Sequence, residues 1–119
     1  MKNTFGWVQL GSTDPKAAKD FYEHLFRWKI THKKMDGDKS FFEIDAGEGP
    51  CAGIAQGEAS KGSHWIPFVS VEDIHESTNK ARDLGAEIIL PVMDLGGNEG
   101  FISVFKDPTG AVIGMHSRK

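Results

Sequence analysis

Apolar and polar positions alternate along residues 5–12, FGWVQLGS, with the period of two that marks a strand. Asp14 then offers a helix N-cap, and Pro15 fits the first helical position, where its missing N–H costs nothing. From there the period changes. Ala18, Phe21, Tyr22, Leu25 and Phe26 fall on one face at helical spacing, which predicts a helix ending near Arg27. WKITHKKM (28–35), SFFEIDA (40–46) and CAGIAQ (51–56) read as strands separated by the turns DGDK and GEGP. The stretch 57–63, GEASKGS, reads as a connector. The same order then returns. HWIPFVSV (64–71) is a strand in which Pro67 points to an edge or a bulge. Glu72 and Asp73 open a helix with Ile74, Thr78, Ala81 and Leu84 on its apolar face, and Gly85 stops it. AEIILPVMD (86–94), FISVFKD (101–107) and AVIGMHS (111–117) are strands, joined by turns at 96–100 and at DPTG (107–110).

The chain therefore reads as one domain, 1–119, built from two βαβββ modules, 1–58 and 63–119. At an offset of 58, Trp7 matches Trp65, Ser12 matches Ser70, Asp14 matches Glu72 and Ile30 matches Ile88. Identity is thin; the order of elements carries the repeat. Within a module the helix is expected to cover one sheet face, burying Phe21, Tyr22 and Leu25. The uncovered faces would line a cleft if the two sheets pair side by side into a curved half-barrel with both helices outside. Strand alternation puts Phe5, Trp7 and Gln9 on one face and Trp65, Pro67 and Val69 on one face. Each tryptophan, taken alone, is read as core before it is read as ligand contact.

Composition narrows the partners. A net charge of −3 and no basic stripe argue against nucleic acid. No apolar run reaches the roughly 18 residues of a membrane span, and no signal-peptide core opens the chain, so a cytoplasmic location is the default expectation. The single cysteine, Cys51, can form no internal disulfide and is too little for a thiolate zinc site; it is expected to be buried and inert. His24, His32 and His75 are expected on the surface.

FGWVQLGSTDPKAAKDFYEHLFRW, SVEDIHESTNKARDLGAEI and FKDPTGAVIGMHS together resemble the vicinal oxygen chelate superfamily, which includes glyoxalase I, extradiol dioxygenases and the fosfomycin- and bleomycin-resistance proteins. The D-P-x-x-A-x-x-F-Y helix entry and the D-P-x-G turn before the last strand are its most specific pieces. The resemblance implies an α+β, glyoxalase-like fold: an eight-stranded curved half-barrel cup from paired βαβββ modules, often completed by dimerisation. It also implies four strand positions that hold a divalent metal in metal-using members. Carried over, these fall on Trp7, on Ile54 or a neighbour, on Trp65 and on Gly114. None of these side chains ligates a metal. His116 shares a face with Gly114 but is alone, and a catalytic site takes about three protein ligands.

The expected function is a metal-free, cofactor-free, small-molecule-binding homodimer like the bleomycin-resistance proteins. Trp7, Gln9, Phe42, Ile54, Trp65, Phe101, Gly114 and His116 are the candidate ligand-binding residues. One alternative is a glyoxalase-like or lyase-like enzyme with His116 or Glu43 as general acid–base. The other is a structural domain that has outlived its chemistry.

Overall fold

The computed structural model describes residues 2–35 and 39–119, so the turn expected at 36–39 lies, except for Lys39, outside the described residues. The described chain runs β1 (Phe5–Ser12), α1 (Pro15–Phe26), β2 (Lys29–Lys34), β3 (Ser40–Asp45), β4 (Pro50–Gln56), a 3-10 turn (Ala59–Lys61), β5 (His64–Ser70), α2 (Ile74–Asp83), β6 (Glu87–Asp94), β7 (Phe101–Lys106) and β8 (Val112–Ser117). This is the predicted α+β order, βαβββ repeated. The chain divides into two compact units: an N-terminal unit, Trp7–Ile66, and a C-terminal unit, Pro67–Lys119 with Met1–Gly6.

In the N-terminal unit the strands lie in the order β2-β3-β4-β1. β1 and β4 are parallel, a pairing that requires a crossover, and α1 supplies the helix in it. Leu10 pairs Ile54, Ile54 pairs Phe42, and Phe42 pairs His32; Val8 pairs Ala52, Ala52 pairs Ile44, and Ile44 pairs Ile30. These two cross-strand rows form the core, with Leu10, Ile44, Ala52 and Ile54 buried and Ala18 and Tyr22 of α1 packed on them. Burying each large aliphatic side chain contributes about 1.5–3 kcal/mol.

Asp14 caps α1, its Oδ1 accepting from the Ala17 N–H at 3.1 Å, and Arg27 ends the helix with left-handed φ 56°. The expected burial of the whole α1 stripe does not occur: no residue of α1 is fully buried, and Phe21, Leu25 and Phe26 are 58, 56 and 53% exposed. At 100° per residue the five apolar positions spread over roughly 140° of the helix. Ala18 and Tyr22 meet the sheet, and the flanking side chains do not reach it. Cys51, at the start of β4, is exposed rather than buried.

In the C-terminal unit the order is β5-β8-β7-β6, with β5 and β8 parallel and the other pairs antiparallel. Residues 1–6 join it where the Ser70 N–H donates to the Thr4 carbonyl at 2.7 Å. Asp73, not Glu72, caps α2, accepting from the N–H groups of His75 and Glu76 at 3.0 and 3.2 Å. Val71, Ile74 and Met115 are the buried centre, with Val92, Phe101 and Phe105 against them. The buried hydroxyls of Thr78 on α2 and Ser103 on β7 bond each other at 2.9 Å, so neither is left unpaired in the core. Leu84 lies one residue past α2 and is 70% exposed, not part of the apolar face. Pro67 stands just before the β5–β8 ladder, which runs from Phe68 to Ser70, so its missing N–H interrupts no bond of that ladder.

Candidate functional site

Alternation sorts every strand residue into one facing the unit's helix or one facing away. In the N-terminal unit Val8, Leu10, Ala52, Ile54, Ile44 and Phe42 all belong to the core under α1. Lys19 of α1 extends over the Phe42 ring, 5.9 Å from its centroid. Trp65 also packs on this core. Its indole N–H donates to the Tyr22 hydroxyl at 3.3 Å, and the two rings meet edge to face at 5.5 Å. Phe42 and Trp65 are partly buried against this core, and Ile54 is enclosed in it. Ile54 is 0% exposed. In the C-terminal unit Phe101, partly buried, packs on the α2 cluster.

The other face of the N-terminal unit carries Trp7 and Gln9 on β1, Phe41 and Glu43 on β3, and Gly53 on β4. The Trp7 indole N–H donates to Gln9 Oε1 at 2.6 Å. A Cβ placed on Gly53 would lie 2.7 Å from Gln9 Oε1, 3.1 Å from the Trp7 ring and 3.3 Å from the Phe41 ring. The three side chains thus converge over a backbone position that only glycine leaves clear. Gly53 also pairs with Glu43, setting a carboxylate in the same cross-strand row, where Lys33 Nζ stands 3.9 Å away. At that separation and exposure the ion pair contributes little.

Gly114 and His116 share the helix-free face of the C-terminal unit, as alternation requires. The Phe68 ring lies across Gly114 and fills the space a Cβ would take. His116 Nε2 is 2.7 Å from the Glu99 carbonyl, so that nitrogen donates and ties down the loop before β7. Of the eight candidates, Trp7 and Gln9 are brought into contact, Gly114 and His116 belong to the other unit, and Phe42, Ile54, Trp65 and Phe101 pack on the helix side of their own unit. Phe41, Gly53 and Phe68 belong to the helix-free faces although sequence reasoning did not select them. Phe41 and Phe42 are adjacent, and only the register of β3 against β4 shows which of them faces α1.

A second concavity of the N-terminal unit, about 480 Å³, is lined by Ser12, Thr13, Asp14, Phe21, Tyr22 and Trp65 among others. Several of its polar groups serve the local backbone. Ser12 Oγ accepts from the Asp14 N–H, Asp14 caps α1, and the Thr13 N–H donates to Ser63 Oγ. The Tyr22 hydroxyl accepts from the Trp65 indole, and His64 completes the polar lining.

The repeated βαβββ unit, with β1–β4 and β5–β8 parallel, defines a glyoxalase-like fold. A family model described as Glyoxalase/Bleomycin resistance protein/Dioxygenase superfamily matches residues 4–115, and the chain belongs to that superfamily. It is 31% identical over 119 residues to a Mycobacterium bovis protein named as a glyoxylase, CFP32, covering 96% of this chain and 45% of that protein. It is 27% identical over 124 residues to the anthracycline biosynthesis protein DnrV of Streptomyces peucetius, covering 92% of this chain and 45% of that protein. The chain thus spans about half the length of the curated relatives it matches. Among solved structures, the hypothetical protein BH1468 of Bacillus halodurans superimposes with a TM-score of 0.71 at 12% identity, covering 100% of this chain and 96% of that one. Methylmalonyl-CoA epimerase of Mycobacterium tuberculosis gives 0.65 at 16% identity, covering 93% and 85%.

The residues present do not fit the metal that many members of this superfamily hold. The two helix caps, Asp14 and Asp73, are 59 positions apart. The structural repeat is therefore offset by one from the alignment that matched the two tryptophans. Trp7, seven residues before its cap, corresponds to Ile66, seven before Asp73; Trp65 is on the wrong face. In β4 the position on Trp7's face is Gly53, and in β8 the position on Phe68's face is Gly114. Trp7, Gly53, Ile66 and Gly114 supply no donor side chain, and both glycine sites are filled by neighbours. No group of three or more His, Cys, Asp and Glu that could hold a metal occurs among the described residues.

Proposed function

We propose that this protein is a metal-independent small-molecule-binding member of the superfamily, with Trp7 as the stacking plane of its ligand and Gln9 as the polar group that orients it. One observation carries the reading: Trp7, Gln9 and Phe41 meet over Gly53 on a face that no helix of their unit covers. An indole gives a flat ligand a large contact area, and a single well-placed amide supplies direction. One relative, DnrV, is named as an anthracycline biosynthesis protein. A homodimer is part of the proposal, supported by the exposed Phe21, Leu25 and Phe26 of α1. A cytoplasmic setting completes it; no helix of the described residues is long and apolar enough to cross a membrane.

The second reading, a glyoxalase-like enzyme, has the relative named as a glyoxylase in its favour. In that case Glu43, in the same row as Gln9 and Gly53, is the general base. The two readings part under one experiment. The purified protein is analysed for metals, then screened by thermal shift against planar small molecules with and without Zn, Ni, Mn and Fe. Stabilisation by planar molecules, unchanged by metals and lost in Trp7→Leu, is expected. One equivalent of bound metal per chain, or stabilisation by metal alone, overturns the proposal. Sedimentation as a monomer at micromolar concentration overturns the homodimer.

A further inference from the structure

The polarity of the Trp7–Gln9 contact sets what the ligand must offer. An indole N–H can only donate. It points at the Gln9 amide from 2.6 Å, so the amide oxygen must face it, and the amide orientation is fixed by the bond rather than chosen. The oxygen is thereby engaged, and the other end of the amide is an NH2 group that can only donate. Among the described residues that nitrogen has no hydrogen-bond partner, and it is not among buried atoms lacking one, so water reaches it. A ligand covering Trp7 displaces that water. It must return an acceptor or leave two donor hydrogens unpaired in a desolvated place.

We infer that the ligand class of this face is a planar molecule carrying an uncharged oxygen acceptor, such as a ring carbonyl, near one edge. This rests on the reading of the Trp7 face as the ligand site. The Glu43 carboxylate argues for a planar cation instead, but it lies two strands from Gln9 in the row and has Lys33 beside it. The amide therefore governs. Gln9 acts on binding directly, and Gly53 acts through it, since a side chain there would occupy the place of Oε1.

The probes are coumarin, a neutral planar lactone, and N-methylquinolinium, a planar cation with no acceptor. Binding is followed by the indole N–H resonances of Trp7, Trp28 and Trp65 and the Gln9 side-chain NH2 resonances in a 15N-labelled sample, with Trp7 assigned by Trp7→Phe. Coumarin should shift Trp7 and the Gln9 NH2 and bind about tenfold tighter than N-methylquinolinium, the factor expected when a donor is paired rather than stranded. Gln9→Glu, which replaces the free donor by an acceptor, should abolish or reverse that preference. Gln9→Met should remove it while leaving weak binding of both. Unchanged Trp28 and Trp65 resonances show that each variant is folded. Equal affinity of the two probes, or a coumarin preference that survives Gln9→Glu, overturns the acceptor inference and leaves the site reading standing. Failure of both probes to move Trp7 in the unmutated protein overturns the site reading itself, and the inference with it.

Discussion

Gly114→Ala and Gly53→Ala place the same methyl group at corresponding positions of the two units, and their consequences should differ in kind. At Gly114 the new Cβ falls within the Phe68 ring, with carbons at 2.5 and 2.9 Å. Phe68 is 6% exposed, so the ring has no solvent-filled space to enter. Overpacking of this sort costs about 1–3 kcal/mol. The loss of chain freedom in the unfolded state returns about 0.4–1 kcal/mol of that. The middles of the two ranges leave a destabilisation of about 1.3 kcal/mol, or a melting point lower by roughly 5 °C for a chain of this size. At Gly53 the nearest atom, at 2.7 Å, is the end of the half-buried Gln9 side chain. An amide end can rotate away and the Trp7 and Phe41 rings stand farther off, at 3.1 and 3.3 Å, so stability should fall by less than at Gly114. The indole–amide bond should be lost, and with it the preference for acceptor ligands. Melting curves measure the first effect and the Trp7 indole N–H resonance the second. A Gly114→Ala protein as stable as the parent would refute the claim that Phe68 fills that position. So would a Trp7 resonance unmoved in Gly53→Ala for the Gln9 contact.

Two further perturbations separate core from site and probe the last turn. Ile54→Ala should cost about 2–5 kcal/mol as a cavity in a closed core, whereas Trp7→Leu should leave the melting point nearly unchanged and abolish coumarin binding; the opposite pattern would return Ile54 to the ligand face. Asp107 sits in the DPTG turn. The Thr109 hydroxyl, then the N–H groups of Ala111 and Thr109, donate to its carboxylate and hold its pKa below the ordinary 3.8. A lowered folded-state pKa contributes stability that is complete above the unfolded value and is lost as pH falls through the folded one. The stability difference between the parent and Asp107→Asn should therefore be constant at neutral pH and shrink below about pH 3.8; a difference that grows on acidification contradicts the bonding.

Element order was legible because its signals are local. Asp14 followed by Pro15, the switch from period two to helical spacing at Ala18, and Gly85 after the second helix each act within a few residues. The structure places helix ends and strands within about two residues of those marks, inside the usual error of boundaries. What lay beyond local signals was less legible. The five apolar positions of α1 show that the helix is amphipathic, but how wide a stripe one sheet can cover depends on packing distance, which sequence does not carry. Phe41 and Phe42 are equivalent until β4 fixes the register of β3. Cys51 resembles a buried thiol by residue type, but its place at the first turn of β4 leaves it exposed.

The most consequential error was a single residue. Matching Trp7 to Trp65 is natural, since two tryptophans at similar places suggest a repeat. The caps refute it. Both helices begin from an aspartate whose carboxylate takes N–H groups of the first turn, and those two aspartates set the offset, not Glu72. Because a strand has period two, an offset wrong by one moves every side chain of the second copy to the opposite face. Trp65 then belongs with Tyr22 over the core, and the partner of Trp7 is Ile66. The conclusion about metal survives the correction on better grounds. It no longer rests on two tryptophans in ligand positions, but on Trp7, Ile66 and two glycines whose space is already taken by Gln9, Trp7 and Phe41 in one unit and by Phe68 in the other. A metal at these positions would need donors at Gly53 and Gly114 together with removal of the side chains that now fill both places.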